Sequence, residues 1–228
     1  QKRVLILGGT GRVGRALARV WPADMPAPIW QMRSGGDYPW DILTAQPPAL
    51  PADVVGIIVL AGVTQGDDAA LAANTHLALA ACDLAAAAEV RTLLASSQAV
   101  YGTPDIAVSE DSPAAPQTPY GRAKYAMEQA VLAYENTTCL RIGNVAGCDG
   151  LLLAAGRGGT LSLDQFADGQ GPRRAYIGPG ILAQTLVGLM AHTGPLPNAL
   201  NVAQPKSVAM ADLLDAAHMP WQWRAAGV

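Results

Sequence analysis

The sequence predicts an α/β protein built on a doubly wound parallel sheet. Short runs of leucine and β-branched residues alternate along the chain with helix-like stretches, as they do in repeated strand–helix–strand units. Arg3 to Leu7 reads RVLIL and stops at glycine, and Asp53 to Leu60 reads DVVGIIVL. Both runs are typical of strands buried on two faces. With 228 residues, of which 50% are hydrophobic, the chain can enclose a sizeable core.

The other elements follow from the same pattern, with proline and glycine marking boundaries. Strands are predicted at 3–7, 28–32, 53–60, 91–95, 138–142 and 199–202. Helices are predicted at 14–21, 67–88, 119–134, 180–192 and 208–217. The first helix is broken by Pro22, and the second is rich in Ala and Leu with few charges, so we expect it to pack on more than one side.

Between and after these elements the sequence predicts irregular structure. Prolines make 45–51 and 103–119 loops, and the alternation of strands and helices loosens after Asn144. We expect residues 219–224, the tail, to pack as ordinary surface. The alternative is that they line a pocket or an interface.

Composition and charge exclude several classes of function. Only 14% of residues are charged, against roughly 25% in an average domain, and the net charge is −3. No cluster of Lys and Arg could track a phosphate backbone, so we expect no nucleic-acid partner. No apolar run approaches the roughly 20 residues of a membrane helix, and no signal-peptide segment opens the chain. We therefore expect no membrane partner and a cytoplasmic location.

The metal-ligating residues give no sign of a metal site or a disulfide framework. The cysteines are Cys82, Cys139 and Cys148, an odd number without CxxC spacing, and the three histidines lie far from them and from each other in the sequence. We expect no bound metal and a reducing environment.

A glycine-rich turn directly after the first strand is the first motif that carries chemistry. It reads Gly8-Gly9-Thr10-Gly11-Arg12-Val13-Gly14 and opens a helix. Glycine permits the sharp turn, the close approach of a diphosphate and tight helix–sheet packing, and N–H groups at the helix start meet the anion. The alternative is an ordinary glycine-rich turn.

The residues after the second strand favour NADP over NAD. Dinucleotide sites usually place an acidic residue there against the ribose hydroxyls, whereas this chain has Gln31 and then Arg33. A cation would accept a 2′-phosphate, and Arg12 would add to it. Alternatively, both arginines are solvated surface residues. Asp41 and Ile42 are candidates for contacting the adenine, with helix capping by Asp41 as an equal alternative.

Tyr120 and Lys124 form the second motif, because residues four apart share one face of a helix. An ammonium about 4 Å from a phenol contributes roughly 4 kcal/mol at an effective dielectric of about 20. We therefore expect Lys124 to lower the pKa of Tyr120 by up to about three units, so that the phenol can exchange a proton with a carbonyl or alcohol. The alternative is an exposed helical pair.

A third motif, Ser96-Ser97-Gln98-Ala99-Val100-Tyr101-Gly102, follows the fourth predicted strand of the sheet. Ligands bind at that edge of a doubly wound sheet. A serine there can hydrogen-bond a substrate oxygen while Tyr120 moves the proton; a polar turn at a strand end is the alternative.

Together these residues resemble the short-chain dehydrogenase/reductase superfamily, and within it the extended branch, the NAD-dependent epimerase/dehydratase family. Five segments carry the resemblance besides the glycine turn: Ala61-Gly62, Asn74, SSxxVYG at 96–102, YxxxK at 120–124, and Leu140 to Asn144. The resemblance covers nearly the whole chain and implies a Rossmann-type domain at 1–143. Residues 144–228 would mainly bind substrate, with about 180–203 returning to the sheet.

The resemblance also implies roles for individual residues. Tyr120 would be the catalytic acid/base, Lys124 would hold the nicotinamide ribose, and Ser97, next to Gln98, would orient the substrate carbonyl. Asn144 and Arg174 stand where relatives contact the substrate diphosphate, with Arg173 as the alternative to Arg174. The cofactor would contact a larger set, comprising Gly8, Thr10, Gly11, Arg12, Val13, Gly14, Gln31, Arg33, Asp41, Ile42, Ala61, Gly62, Tyr120 and Lys124. Relatives often dimerise through the helix that carries the Tyr/Lys pair, packed against the long helix that precedes it, so a homodimer is reasonable.

Departures from the family pattern narrow the expected activity. Relatives that act as 4,6-dehydratases carry Asp-Glu after the catalytic hydroxyl residue, where this chain has Gln98 and Ala99, which argues against that reaction. The segment from Asn144 to Arg174 is short, which favours a smaller or different substrate than a sugar nucleotide.

The sequence supports two functions. The first is an NAD(P)-dependent oxidoreductase or epimerase that acts on a secondary alcohol or ketone, with sugars and sugar nucleotides among the candidates. The second is a dinucleotide-binding regulatory protein with little or no catalysis. Relatives of the second kind usually lose the Tyr/Lys pair, which this chain keeps.

Overall fold

The computed structural model describes residues 2–104 and 106–226. Its strands, in chain order, are β1 Arg3–Leu7, β2 Ala27–Met32, β3 Tyr38–Pro39, β4 Val54–Val59, β5 Arg91–Ser97, β6 Thr137–Ile142, β7 Asn144–Val145, β8 Leu161–Gln165, β9 Arg173–Arg174, β10 Tyr176–Ile177, β11 Ala199–Val202, β12 Val208–Ala209 and β13 Trp221–Ala225. Its helices are α1 Arg12–Val20, α2 Asp68–Ala87, α3 Pro119–Ala130, α4 Gly150–Ala155, α5 Pro179–Ala191 and α6 Met210–Ala216, with a 3-10 turn at Gln98–Tyr101.

The central sheet confirms the predicted fold class. Seven strands lie in the order β11-β6-β5-β4-β1-β2-β3, and every neighbouring pair is parallel. The order runs outward in both directions from the neighbours β1 and β4, which makes the sheet doubly wound. All carboxyl ends of the strands therefore lie at one edge, where such sheets bind ligands.

The chain divides into two compact units. The sheet unit comprises the residues up to Ile142 together with Gly180–Val202, and the small unit comprises Gly143–Pro179 and the residues from Ala203 onward. The sheet unit contains β1 to β6, β11, α1 to α3 and almost all of α5.

The core of the sheet unit is built from the central strands and α2. Leu5 and Ile57 of β1 and β4 are fully buried, as the uninterrupted hydrophobic runs predict. By length and composition alone α2 could cross a membrane. Its leucines, alanines and Cys82 instead contribute to the hydrophobic core beside the sheet. The small number of charged residues in α2 thus reflects packing on more than one side.

The small unit contains short strand pairs and two helices. β7 pairs with β10, β9 with β12, and β8 with β13. Its buried centre is formed by Ala155, Leu163 and Leu214. The tail is mostly exposed from Gln222 to Ala225, as ordinary surface packing predicts, and Trp221–Ala225 also forms a strand in register with Leu161–Gln165.

Candidate active site

The turn between β1 and α1 requires glycine at two positions. Gly8 has a φ of +95°, and a Cβ there would lie 2.5 Å from the backbone nitrogen of Ala61. A Cβ on Gly14 would lie 2.4 Å from the carbonyl oxygen of Gly8. Gly11 is the N-cap of α1, no side chain caps this helix end, and its first turn carries no acidic residue. The N–H groups at such a helix start are suited to binding phosphate.

Gln31 fixes the glycine turn from β2. Its Oε1 accepts a hydrogen bond from the N–H of Gly8 at 2.9 Å, and its backbone carbonyl accepts one from the N–H of Gly9 at 3.2 Å. Its Nε2 donates to the carbonyl of Trp40 at 2.5 Å, and the residue is only 4% exposed. Gln31 is one of the cofactor contacts that the family resemblance implies, and its amide has two partners inside the protein. It therefore acts as a support for Gly8, a role for which the sequence has no distinctive signal.

Two arginines bring positive charge to the same region. Arg12 is exposed at the start of α1, and Arg33 is exposed directly after β2. Within residues 2–104 and 106–226, Arg33 has no ion-pair or hydrogen-bond partner. Of the other predicted contacts in the turn, Thr10 is exposed and Val13 is half-buried.

Asp41 and Ile42 lie beyond β3 in a capped turn. The carboxylate of Asp41 accepts a hydrogen bond from the N–H of Leu43 at 3.3 Å, so it caps a turn and not the helix considered above. Ile42 is 8% exposed and belongs to the hydrophobic core. Both side chains thus have a structural role that does not depend on a ligand.

The loop after β4 passes close to polar side chains of two helices. Asn74 of α2 is 1% exposed, accepts from the N–H of Val63 at 3.2 Å and donates to the carbonyl of the same residue at 2.9 Å. A Cβ on Gly62 would lie 2.8 Å from Asn74 Oδ1 and 3.3 Å from Lys124 Nζ. The structure thus brings the glycine turn, Gly62 and Lys124 to the carboxyl edge of the sheet.

Ser97 and Tyr120 meet at the carboxyl end of β5. Ser97 ends the strand, and its hydroxyl accepts a hydrogen bond from the N–H of Ala99 at 3.2 Å. The hydroxyl of Ser97 is close enough to the phenol of Tyr120 to influence its pKa. Gln98, half-buried, begins the 3-10 turn directly after Ser97. Two hydroxyl groups therefore stand together where a substrate oxygen would bind in a doubly wound fold.

The start of α3 is fixed by local chemistry. The hydroxyl of Thr118 caps the helix by accepting from the N–H of Gly121 at 3.0 Å, and Pro119 occupies the first helical position. Tyr120 therefore lies in the first turn and Lys124 one turn later.

Lys124 is a buried amine. It is 4% exposed, and its Nζ donates to the carbonyl of Ala95 at 2.8 Å. Burial lowers the pKa of Lys124 to about 8, and the nearby Cys139 and Glu128 act more weakly in the opposite direction. The amine therefore titrates close to physiological pH.

The pKa of Tyr120 differs from the expectation. Burial raises the pKa of Tyr120, and the nearby hydroxyl of Ser97 acts in the opposite direction. Lys124 is not among the groups that shift it, so the expectation that Lys124 lowers this pKa is wrong for the chain alone. The sequence could show that the two residues share a helix face, but it could not show how deeply the phenol is buried.

Asn144 and Arg174 lie close together in the small unit. The backbone N–H of Asn144 donates to the carbonyl of Ala175, the residue after Arg174, at 2.9 Å. The side chain of Arg173 is bound to Ser207, with its Nη2 2.7 Å from the carbonyl oxygen. Arg174 instead lines a cavity, which favours it over Arg173 as the residue that meets a ligand.

This cavity has a volume of about 250 Å³ and lies wholly within the small unit. One part of its lining is apolar and the other carries charge. Arg224 forms an ion pair with Asp164 at 2.6 Å, and Arg174 adds a second guanidinium. The apolar lining comprises Leu151, Ala154, Leu161, Leu163, Pro172 and Met210. An anionic ligand with an apolar or aromatic part suits such a surface.

The described residues offer no cluster of three or more His, Cys, Asp or Glu side chains that could hold a metal ion.

A family model matches the central part of the chain. Residues 52–154 match the model described as NAD dependent epimerase/dehydratase family. The match covers less than half of the 228 residues, so it shows what this segment is similar to. It agrees with the resemblance to the NAD-dependent epimerase/dehydratase family drawn from the motifs. A comparison with curated protein sequences gives no significant match.

Solved structures of several other proteins share the fold at low sequence identity. The UDP-Glc/GlcNAc 4-epimerase from Campylobacter jejuni superposes with a TM-score of 0.79 and 19% identity, covering 100% of this chain and 88% of the epimerase. A short-chain dehydrogenase/reductase superfamily protein from Agrobacterium tumefaciens with bound NAD gives 0.78 and 19%, with 98% and 85% covered. TunA, an NAD dependent NDP-hexosamine 5,6-dehydratase involved in tunicamycin biosynthesis, gives 0.74 and 22%, with 100% and 86% covered.

The epimerase/dehydratase family implies a nicotinamide dinucleotide, and the residues present fit one. Side chains at Gly8 and Gly14 would clash with the backbone of the chain itself, so glycine keeps the turn tight, and the start of α1, with no capping side chain and no acidic residue in its first turn, is suited to a diphosphate. Gly62 also leaves the approach to Lys124 open, since a Cβ there would lie 3.3 Å from its Nζ. The cradle is thus made of backbone and a single amine, both at the carboxyl edge of the sheet.

Proposed function

We propose that the chain is an NAD(P)-dependent oxidoreductase or epimerase that transfers a hydride to or from a secondary alcohol or ketone. The observation that carries the proposal is that Ser97 at the end of β5 and Tyr120 at the start of α3 come together with the buried Lys124 at the edge of the sheet used for ligands. When bound, NAD(P) supplies or accepts the hydride. The glycine turn and the start of α1 would hold its diphosphate, and Lys124 its nicotinamide ribose.

Tyr120 acts as the acid/base in this proposal. Because burial raises its pKa, the phenol is protonated at neutral pH and suited to donating a proton to a carbonyl oxygen. In reduction the Tyr120 proton goes to the carbonyl oxygen as the hydride reaches the carbonyl carbon. In oxidation both steps run backwards, and the phenolate takes the alcohol proton. Ser97 orients the same oxygen through its hydroxyl.

The protein alone can be tested for cofactor binding and turnover. Fluorescence titration with NADH and NADPH measures affinity, and UDP-glucose, UDP-N-acetylglucosamine and a panel of ketones serve as substrate probes. Tightly held cofactor with interconversion of a UDP-sugar supports an epimerase, whereas oxidation of free NADPH by a ketone supports a reductase. Binding without turnover across the panel supports a regulatory protein. A protein that binds neither NADH nor NADPH contradicts both functions.

A 4,6-dehydratase is the least favoured reaction of the family. Gln98 and Ala99 follow Ser97, so no acidic pair stands directly after this hydroxyl to remove and return protons during elimination of water. A UDP-glucose assay for the 4-keto-6-deoxy product tests this inference, and formation of that product contradicts it.

We infer that NADP is preferred over NAD because Arg33 is exposed after β2 and no acidic residue stands at the strand end. Arg33→Ala should weaken NADPH binding by roughly tenfold, the value of one charge-assisted hydrogen bond, and leave NADH binding almost unchanged. Titration of both nucleotides measures this. The matched control is Arg19→Ala, which removes an exposed arginine from the last turn of α1. Equal losses for the two nucleotides would mean that Arg33 does not contact a phosphate.

We also propose that Arg174 binds the anionic part of the substrate at the cavity of the small unit. With UDP as the probe, Arg174→Ala should lower affinity by roughly tenfold or more and leave NADPH affinity unchanged. Arg173→Ala is the neighbouring control, since that side chain is bound to Ser207. Calorimetric titration with UDP measures the affinities of the wild type and of the two variants. If UDP fails to bind the wild-type protein while a ketone is reduced, the substrate carries no nucleotide.

A further inference from the structure

A buried polar cluster of Ser96, Tyr101, Glu128 and Arg141 lies directly behind the candidate site. Glu128 and Arg141 are 4% and 8% exposed. Arg141 Nη2 donates to Glu128 Oε2 at 2.8 Å, and its Nε lies 3.2 Å from each carboxylate oxygen. The pair is therefore bidentate, the geometry in which arginine and a carboxylate fix each other most firmly.

The cluster joins separate elements of the sheet unit. The hydroxyl of Ser96, in β5, donates to Glu128 of α3. Arg141 of β6 donates to the hydroxyl of Tyr101 at 2.8 Å, and its guanidinium lies 4.8 Å from the centre of that ring. Tyr101 in turn donates to Asn201 Oδ1, in β11, at 2.8 Å. Strand ends, the 3-10 turn and α3 are thus tied together by directional bonds.

Two residues of this cluster lie next to residues of the proposed active site. Ser96 immediately precedes Ser97, and Glu128 lies one helical turn after Lys124. We propose that Glu128 and Arg141 are positioning residues, which hold the end of β5 with Ser97 against α3 with Tyr120 and Lys124. This inference rests on the proposed function only in naming those three residues as the site.

Stability alone accounts poorly for a buried ion pair, because apolar residues of similar volume are often as stable or more stable. Directional bonds, by contrast, fix the distance between two elements. The cluster also affects the pKa of Lys124. Glu128 from α3 and the Cys139 thiol from β6 face the amine, and burial together with Glu128 raises the pKa of that thiol to about 12. Glu128 is thus the negative charge that favours the protonated amine.

The first variant removes the ion pair without leaving a charge unpaired. In Glu128→Gln/Arg141→Met, the glutamine can still accept from Ser96 while the charge that favours the Lys124 ammonium is gone. The midpoint of Lys124 titration should fall by roughly one unit. The chain has only three lysines, Lys2, Lys124 and Lys206, so carbon-13 labelling of lysine gives three signals, and Lys124→Met identifies the relevant one.

The matched control is Arg3→Met/Asp53→Asn, which removes an ion pair of 2.6 Å at the opposite edge of the sheet with the same change in charge. It should leave the Lys124 midpoint unchanged. A midpoint that stays in place in the Glu128/Arg141 variant, or moves equally in the control, contradicts the proposal.

The second variant keeps the ion pair and tests position directly. Ser96→Ala removes the bond from β5 to α3 with a small change that the fold should tolerate. Crystal structures of the wild type and the variant should show that the hydroxyl oxygens of Ser97 and Tyr120 move apart in Ser96→Ala, and Ser96→Thr, which keeps the hydroxyl, should restore their separation. An unchanged separation in Ser96→Ala overturns the positioning role even if the double variant does not fold. Neither readout needs turnover, so a failure of the proposed function stays distinguishable from a failure of this inference.

Discussion

Tyr120→Phe is expected to lower turnover by roughly 10²–10⁴-fold, the usual contribution of a positioned acid or base. The variant keeps the aromatic ring and loses only the hydroxyl that lies near Ser97. The affinity for NADPH should therefore stay within about threefold of wild type, so the loss falls on the chemical step. Initial rates with whichever probe substrate the wild type turns over measure the first quantity, and NADPH fluorescence measures the second.

Tyr125→Phe is the matched control for this prediction. Tyr125 lies on the same helix α3 and is half-buried, but it is no part of the proposed site. It should keep nearly full activity. If Tyr120→Phe also keeps nearly full activity, Tyr120 is not the acid/base and the proton must come from another group.

The central sheet could be predicted from sequence because its signals are local. The strands Arg3–Leu7 and Ala199–Val202 have the predicted bounds, and the glycine turn follows the first of them. In each case a hydrophobic run ends at a residue that cannot continue it. Such signals need no knowledge of the partner strand.

Elements whose limits depend on distant residues could not be predicted in this way. α3 ends at Ala130 rather than at residue 134, and the sequence has no glycine or proline between Ala130 and Thr137 to mark the end. The chain instead turns at Asn136, whose φ is +54°. Likewise β8 and β13 pair across 60 positions, a register that no local pattern specifies.

For the candidate site, too, the sequence predicts which residues come together but not the environment of each side chain. Motif spacing could place Ser97, Tyr120 and Lys124 at one edge of the sheet, and the structure does place them there. Their protonation depends on burial, which the spacing of residues does not reveal. The internal partners of Gln31 and the cluster around Glu128 were missed for a related reason, since both join residues far apart in sequence.

Lys124→Met is expected to produce a protein that is more stable and almost inactive. Removing the amine should lower turnover by a factor similar to that for Tyr120→Phe and weaken NADPH binding, because the ribose loses its cationic partner. Stability should rise, because a buried amine whose pKa falls from 10.5 to about 8 carries a penalty of roughly 3 kcal/mol when charged. The lost bond to Ala95 offsets about 1 kcal/mol of that. A net gain of about 2 kcal/mol corresponds to a rise in Tm of roughly 4–8 °C at pH 7.

The pH dependence of this gain distinguishes it from a general packing effect. Between pH 8 and 10.5 the unfolded chain binds more protons at Lys124 than the folded chain, so wild-type stability rises with pH across that window. The advantage of Lys124→Met should be full below pH 8, shrink as the pH rises and become a small loss near pH 10.5, where only the lost bond to Ala95 remains, whereas Lys206→Met, at an exposed lysine, should show no such trend. Thermal unfolding at several pH values measures it. A gain that does not change with pH would mean that the amine is not the source of the penalty, and a loss of stability at pH 7 would mean that its bond to Ala95 outweighs the cost of burying it.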